Sequence, residues 1–328
     1  MHTILKNAAR ACVGTALVTG ALQGFAQTAN APYPSRPIKI VVGVPPGGST
    51  NNIARMLAQE LQNSWGQPTI VENRAGANTT IASEAVWRSP ADGYTLLFAT
   101  NTHVTIPLLT KLPFDPLKDF EPIGTLGVSR FVLSVHPSVP VNTLQEFIAY
   151  AKAHPGQLNF GSSGNGGTSH ISGEVFNMLT GTRITHIPYK GAGPSLTDSI
   201  GGQVQVSYNT PMIVAPYAKT GKLKPLAVTG PKRLSFMSDV PTFAEAGLPA
   251  FDEKAWYGLF APAGTPKPVI DKLAAEVARI VSSPAFKENL EKQGTEPWTS
   301  TPEQFRAAMK TDMANLSKVI SAANIKVD

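Results

Sequence analysis

The sequence predicts an α/β protein of two domains. Three observations predict it. Apolar, β-branched runs alternate with amphipathic stretches along most of the chain, the pattern of β-α-β units. The length, 328 residues, exceeds the usual single domain. Two separate glycine-rich loops, at 43–50 and 161–168, each join a strand to a helix.

The first series opens with a strand at 38–44, where Ile38 to Val42 is apolar and mostly β-branched. Pro46, Gly47 and Gly48 break it, and a helix follows over 50–65 with its apolar stripe at Ile53, Met56, Leu57 and Leu61. That stripe reads as core. A strand at 69–73, a helix at 78–88, a turn at Pro90-Ala91-Asp92-Gly93 and a strand at 94–99 continue the alternation. The second series starts with a strand at 131–136 and a helix at 143–153, whose Thr143 and Glu146 stand at capping-box spacing. Strands at 158–161, 184–188, 203–208 and 223–229 then alternate with helices at 169–180, 194–200 and 211–219.

After Trp256 come a strand, a helix over 268–281, a short helix beyond Pro284, and a last helix opened by Thr301, Pro302 and Gln304. These closing helices show no strands between them and need a sheet to cover. The first domain, with few helices of its own, supplies it. The expected organisation is therefore a discontinuous domain 1 over 33–126 plus 257–328, and a domain 2 over 127–256. A cleft between such halves is where ligand pockets form. Trp256 and Tyr257 fall at the second crossing, where Trp256 reads as packing.

Residues 1–26 read as a secretory signal: Lys6 and Arg10, an apolar stretch from Ala11 to Leu22, then Gly24-Phe25-Ala26 at a cleavage site. The mature chain is expected to be exported. No other stretch reaches the roughly 20 apolar residues of a membrane span. The only cysteine, Cys12, lies inside this segment, so the exported chain is expected to hold together by its core alone. The net charge is +6, and loss of Lys6 and Arg10 lowers it to +4. The basic residues are scattered, without an arginine-rich run or interleaved aromatics, which argues against nucleic acid. A mild positive balance instead concentrates small anions.

The loop Val41-Val42-Gly43-Val44-Pro45-Pro46-Gly47-Gly48-Ser49-Thr50-Asn51 carries the most chemistry. The first N–H groups of the following helix have no internal partner, and the positive end of the helix dipole favours a carboxylate or phosphate there. The spacing nearly fits a P-loop, but Ser49 stands where the lysine belongs, which argues against nucleotide hydrolysis. The plain alternative is an ordinary strand-to-helix turn. The second loop, Gly161-Ser162-Ser163-Gly164-Asn165-Gly166-Gly167-Thr168-Ser169-His170, repeats this logic with hydroxyls at Ser162, Ser163 and Thr168 and the amide of Asn165. For the serines and Thr168 the competing role is capping. In a third loop, 188–195, Lys190 reads first as a solvated lysine and second as a cleft charge.

Little points to an enzyme. Gly161-Ser162-Ser163-Gly164 is not a nucleophile elbow, no His-Glu-x-x-His occurs, and the histidines are isolated, with His170 the best placed to meet a ligand. No metal or cofactor is expected. The competing reading is a secreted α/β hydrolase acting on a small carboxylate ester.

Taken in order, seven segments resemble the periplasmic substrate-binding receptors of the tripartite tricarboxylate transporter group, the Bug family. They are Val41 to Asn51, Glu72 to Ala77, Ala91 to Leu96, Gly164 to His170, His186 to Gly191, Leu226 to Thr229, and Trp256 to Pro266. The resemblance implies a two-domain periplasmic-binding-protein fold (Venus flytrap, type II-like) with an interdomain cleft. It implies closure on a small carboxylate and delivery to integral membrane permease subunits, by a receptor expected to be monomeric. Carried over, the ligand-binding residues are Gly47, Gly48, Ser49 and Thr50 in one half and Ser162, Ser163, Asn165 and Thr168 in the other, flanked by Asn101 and Thr102. The sequence departs from the family at Asn51 and Asn209, where aspartate is common. Amides there remove repulsion against a dianion and a partner for an ammonium, so a di- or tricarboxylate, aromatic ones included, is expected over an amino acid.

Overall fold

The computed structural model describes residues 32–322 and residue 325. The expected export signal, with Cys12, lies outside the described residues. In chain order the elements are β1 (Ile38–Val42), α1 (Ser49–Trp65), β2 (Thr69–Asn73), α2 (Thr80–Trp87), β3 (Thr95–Thr100), α3 (Thr102–Thr105), β4 (Phe120–Arg130) and β5 (Val132–Val135). Then follow α4 (Leu144–Ala153), β6 (Asn159–Ser162), α5 (Thr168–Thr180), β7 (Thr185–Pro188), α6 (Ala192–Ile200), β8 (Val206–Asn209), α7 (Pro211–Lys219) and β9 (Lys224–Val228). The chain closes with β10 (Lys254–Pro262), α8 (Lys267–Ser282), α9 (Pro284–Lys292), β11 (Thr295–Pro297) and α10 (Pro302–Ala322).

Two mixed sheets result. The first has six strands in the order β11-β4-β10-β3-β1-β2, and the second five in the order β7-β6-β8-β5-β9. In the first, β1 runs parallel to both β2 and β3, while β10 lies antiparallel between β3 and β4. In the second, β6 runs parallel to β7 and β8, and β5 is antiparallel to β8 and β9. This is the two-domain α/β architecture the sequence predicts.

Burial follows the periodicity. Ile53, Leu57 and Leu61 of α1 are fully buried with Ala54, while Met56 lies at the edge of the same cluster. Helix α8 buries Ile270, Leu273, Val277, Ile280 and Val281 against β4, and α10 packs on the same strand. A second apolar cluster runs without interruption from Trp256, Phe260 and Phe305 of the first sheet's side to Leu133, Phe160 and Phe176 of the second. Trp256 is 1% exposed, edge-on to Phe305 and bonded through Nε1 to Asp312 Oδ2 at 2.7 Å. Among the described residues, no helix is long and apolar enough to cross a membrane.

Two strands differ from expectation. The sequence shows no strand at 120–130, yet β4 is the longest in the protein, and β11 pairs with it between α9 and α10, where none is expected. Pro122, Gly124 and Gly127 break the β signal in β4. For Gly124 and Gly127 the cause is crowding from the far side. A Cβ on Gly127 would lie 2.6 Å from Glu296 O of β11, and one on Gly258 of β10 would lie 2.2 Å from the Phe305 ring.

The connections between the sheets run side by side. Strand β4 ends at Arg130, β5 begins at Val132, and Arg130 pairs with Lys254, the first residue of the returning β10. Arg130 is only 7% exposed, so its charge needs partners. It bonds Glu296 of β11 at 2.8 Å and reaches Asp252 at 3.5 Å, and Asp252 also accepts the Gly230 N–H at 2.9 Å.

Candidate functional site

Parallel pairing places the C-terminal ends of β1, β2 and β3 on one edge of the first sheet, and those of β6, β7 and β8 on one edge of the second. Strands β1 and β6 each sit between two parallel neighbours. Open α/β sheets bind ligands at such switch points, outside the carboxyl ends of the strands. Both glycine-rich loops leave from these two strands.

In the first loop, Pro45 to Gly48 are exposed, and Gly48 opens α1 in extended conformation with no side-chain cap. Ser49 and Thr50 are half-buried in the first turn. Helix α5 likewise starts after Gly167 without a side-chain cap, α6 after Gly191, and α7 after Thr210. Away from these edges α8 also starts uncapped, after Pro266, but three other helices carry side-chain caps. Thr143 accepts from Glu146 N, Ser283 from Phe286 N and Thr301 from Gln304 N. The helices that start at the two sheet edges thus keep unpartnered N–H donors and the positive dipole end, and three helices away from them do not.

The loop is braced from behind. Asn51, 2% exposed, donates to Asn73 Oδ1 at 3.1 Å and accepts from Arg55 Nε at 3.1 Å, while Asn73 donates to Val44 O at 2.8 Å. Asn51 therefore serves the loop's shape with both ends of its amide. Below Thr50, the buried Tyr257 hydroxyl bonds Ser129 at 2.9 Å, and Ser129 meets Thr295 at 3.0 Å. Thr50 adjoins the same phenol.

In the second loop, Ser162 is 1% exposed, and its hydroxyl takes the Gly164 N–H at 3.1 Å and lies 2.5 Å from His186 Nε2. His170 Nδ1 accepts the Gly166 N–H at 2.9 Å, and its ring stacks on His186 with centroids 3.6 Å apart. Burial pushes His170 down to about 4, and burial with the neighbouring His170 pushes His186 down to about 3. Both rings are neutral at physiological pH and act as a platform under the loop. Ser163 is exposed, while Asn165 and Thr168 are half-buried.

Of the flanking residues, Asn101 is buried and donates to Lys254 O at 3.3 Å, at the return crossing, with its Oδ1 unpartnered. Thr102 accepts from Thr100 at 3.2 Å. Asn209 is half-buried at the end of β8, beside Thr210, whose buried hydroxyl has no partner. Lys190 is exposed. Among the described residues, no group of three or more His, Cys, Asp or Glu is placed to hold a metal ion.

The loops meet across the gap between the sheets. Asn78, between β2 and α2, donates through Nδ2 to Asn165 O at 3.0 Å. Gly294, in the turn before β11, packs on Met212 at the start of α7. The sequence reading does not include Asn78. Its signal is present, since asparagine after Gly76-Ala77 tolerates the left-handed conformation it adopts, with φ 51°.

The family model described as tripartite tricarboxylate transporter family receptor matches residues 53–325. Protein BugT of Bordetella pertussis is 36% identical over 298 residues, 90% of this chain and 91% of that protein. A solved Rhodopseudomonas palustris protein, Rpa4515 with adipate, is 35% identical with a TM-score of 0.83, over 90% of this chain and 99% of that one. MatC of the same organism, with bound malate, is 32% identical with a TM-score of 0.78, over 88% of this chain and 100% of that one. These relatives are solute-binding receptors, not enzymes, which sets the hydrolase alternative aside.

Proposed function

Since this chain belongs to the tripartite tricarboxylate transporter receptor family, we propose that it is an extracytoplasmic receptor that closes on a small di- or tricarboxylate and hands it to membrane permease subunits. One observation carries this reading: uncapped helix starts leave both sheet edges, and the turn after β2 on the first edge already touches the second glycine-rich loop through Asn78 and Asn165. Each carboxylate of a dianion takes one helix N-terminus. In the first lobe the donors are the backbone and hydroxyls of Gly47, Gly48, Ser49 and Thr50. In the second they are Ser163, Asn165 and Thr168, with Asn209 and Thr210 alongside. Asn51, Ser162 and His170 hold those loops in shape.

Chemistry favours a dicarboxylate over an amino acid. No acidic residue stands in either loop to pair an ammonium, and every group named here donates or is neutral. The adipate and malate complexes of the two relatives support the same ligand class. The lobes divide where β4 passes to β5 and where β10 returns, so the molecule closes as a monomer about Arg130 and Asp252. A ligand touching both loops shifts the open and closed populations by its differential affinity.

Calorimetric titration with adipate, malate, citrate and aspartate tests the proposal. Binding of one of the first three with aspartate silent is the expected result. Tight aspartate binding without binding of adipate, malate or citrate, which carry no ammonium, overturns the selectivity argument.

A further inference from the structure

We propose that Asn78 is an interlobe latch, which holds the receptor partly closed before any ligand arrives. It rests on the hinged closure proposed above but not on the ligand's identity.

Three consecutive non-glycine residues, Ala77, Asn78 and Thr79, adopt left-handed φ values of 43°, 51° and 74°. Such a run is disfavoured, and for a β-branched threonine it is an outlier that only surrounding structure maintains. The surroundings here are specific. Thr79 presses on the end of β1, where a Cβ on Gly43 would lie 2.5 Å from Thr79 Cβ. Only a glycine at 43 lets the turn approach so closely. Arg74 N–H is bonded to Val42 O at 2.8 Å, so the segment leaving β2 is tied to the same strand end.

The turn's product is the position of one amide. Asn78 Nδ2 reaches Asn165 O in the other lobe at 3.0 Å, and its Oδ1 stands 3.7 Å from where a Gly164 Cβ would be. Asn78 therefore joins the first lobe directly to the second lobe's proposed ligand loop, at a point separate from the strand crossing at Arg130. The bond uses a backbone carbonyl of the second loop, so it takes up none of the N–H donors in the first turn of α5. A ligand and the latch can then act together, each favouring the closed form.

The test uses Asn78→Gly, which keeps the left-handed backbone without strain, and Asn78→Asp, which sets a carboxylate against the Asn165 carbonyl. Hydrogen exchange at Gly166 and Gly167, whose N–H groups bond His170 Nδ1 and Gly164 O in the opposite lobe, reads how firmly the loop beside Asn165 is held in the empty protein; the open form releases that loop, and relief of strain at the turn does not reach it. Losing one net hydrogen bond raises the open-to-closed ratio roughly fivefold, so exchange should quicken by about that factor in Asn78→Gly and by at least as much in Asn78→Asp. Adipate and malate should leave faster from both variants if they bind. Unchanged exchange at Gly166 and Gly167 in both variants overturns the latch. Faster exchange in a protein that binds neither dicarboxylate supports the latch and defeats only the ligand reading.

Discussion

Replacing Gly48 by valine separates binding from folding more cleanly than any other change at this site. Gly48 has φ −86° and ψ 165°, an extended conformation that valine favours, and a Cβ built there meets no atom within 4 Å. The fold loses little. Weaker N-cap character is partly offset by reduced freedom of the unfolded chain, which leaves stability within about 1 kcal/mol. Binding loses much more, because the new methyls stand beside the uncapped N–H groups of α1 that a carboxylate would take. A hydrogen bond to a charged group contributes ~1.5–3 kcal/mol, so losing two weakens affinity by about 3 kcal/mol or more, roughly 100-fold. Titration of the dicarboxylate bound by the parent protein, beside a thermal melt of each, measures both quantities. Parent-like affinity in a normally melting Gly48→Val refutes the assignment of this loop.

Three further outcomes follow from packing, capping and burial. Gly258→Ala forces a Cβ to 2.2 Å from the Phe305 ring, itself wedged by Trp256 and Phe260, and should lower urea stability by ~1–3 kcal/mol. Thr143→Ala removes the cap on Glu146 N in α4, far from the cleft, and should cost ~1 kcal/mol of stability with dicarboxylate affinity unchanged. His103, fully buried among Phe114, Phe120 and Phe260, is pushed down to about 4 by burial. The unfolded chain protonates this ring near 6.5 and the folded one does not, so stability is full above that pH and falls between about 6.5 and 4, by ~1.4 kcal/mol per pH unit at most. His103→Asn should remove one ring's share of that slope in the urea-stability profile, leaving the shares of His170 and His186, and an unaltered slope in the variant contradicts the cause.

Where period and turn chemistry agreed, the elements were legible from sequence: α1 from its stripe, α4 from Thr143 and Glu146, α10 from Thr301 and Gln304. Strand β4 was not, because its Gly124 and Gly127 answer to Ser300 and Glu296, which lie about 170 residues further on and leave no local mark. The loops of the candidate site stand out in the sequence for a different reason. A glycine-rich stretch between a strand and a helix declares unpartnered donors without needing any distant residue. What could not be read was the division of labour within them. Ser162 and His170 carry the chemical groups of a binding site, yet each is turned inward, and only the positions of His186 and Gly166 reveal it.

Asn51 shows how the selectivity argument changes once contacts are known. Read as a cleft residue, its amide lowers negative charge next to the ligand. In the structure it is buried behind the loop, where its oxygen accepts from Arg55 and its nitrogen donates to Asn73. An aspartate at 51 keeps the first bond and turns the second into an oxygen facing Asn73 Oδ1, unless Asn73 rotates and releases Val44 O. The effect on a ligand would then come through the path of Val44 to Gly48 rather than through charge. Asn209 is different, because it sits half-buried at the end of β8, beside the uncapped start of α7 and the unpartnered hydroxyl of Thr210. Under the proposed dicarboxylate reading, selection of a dianion over an ammonium would therefore depend on Asn209 directly and on Asn51 only through the shape of the loop it braces.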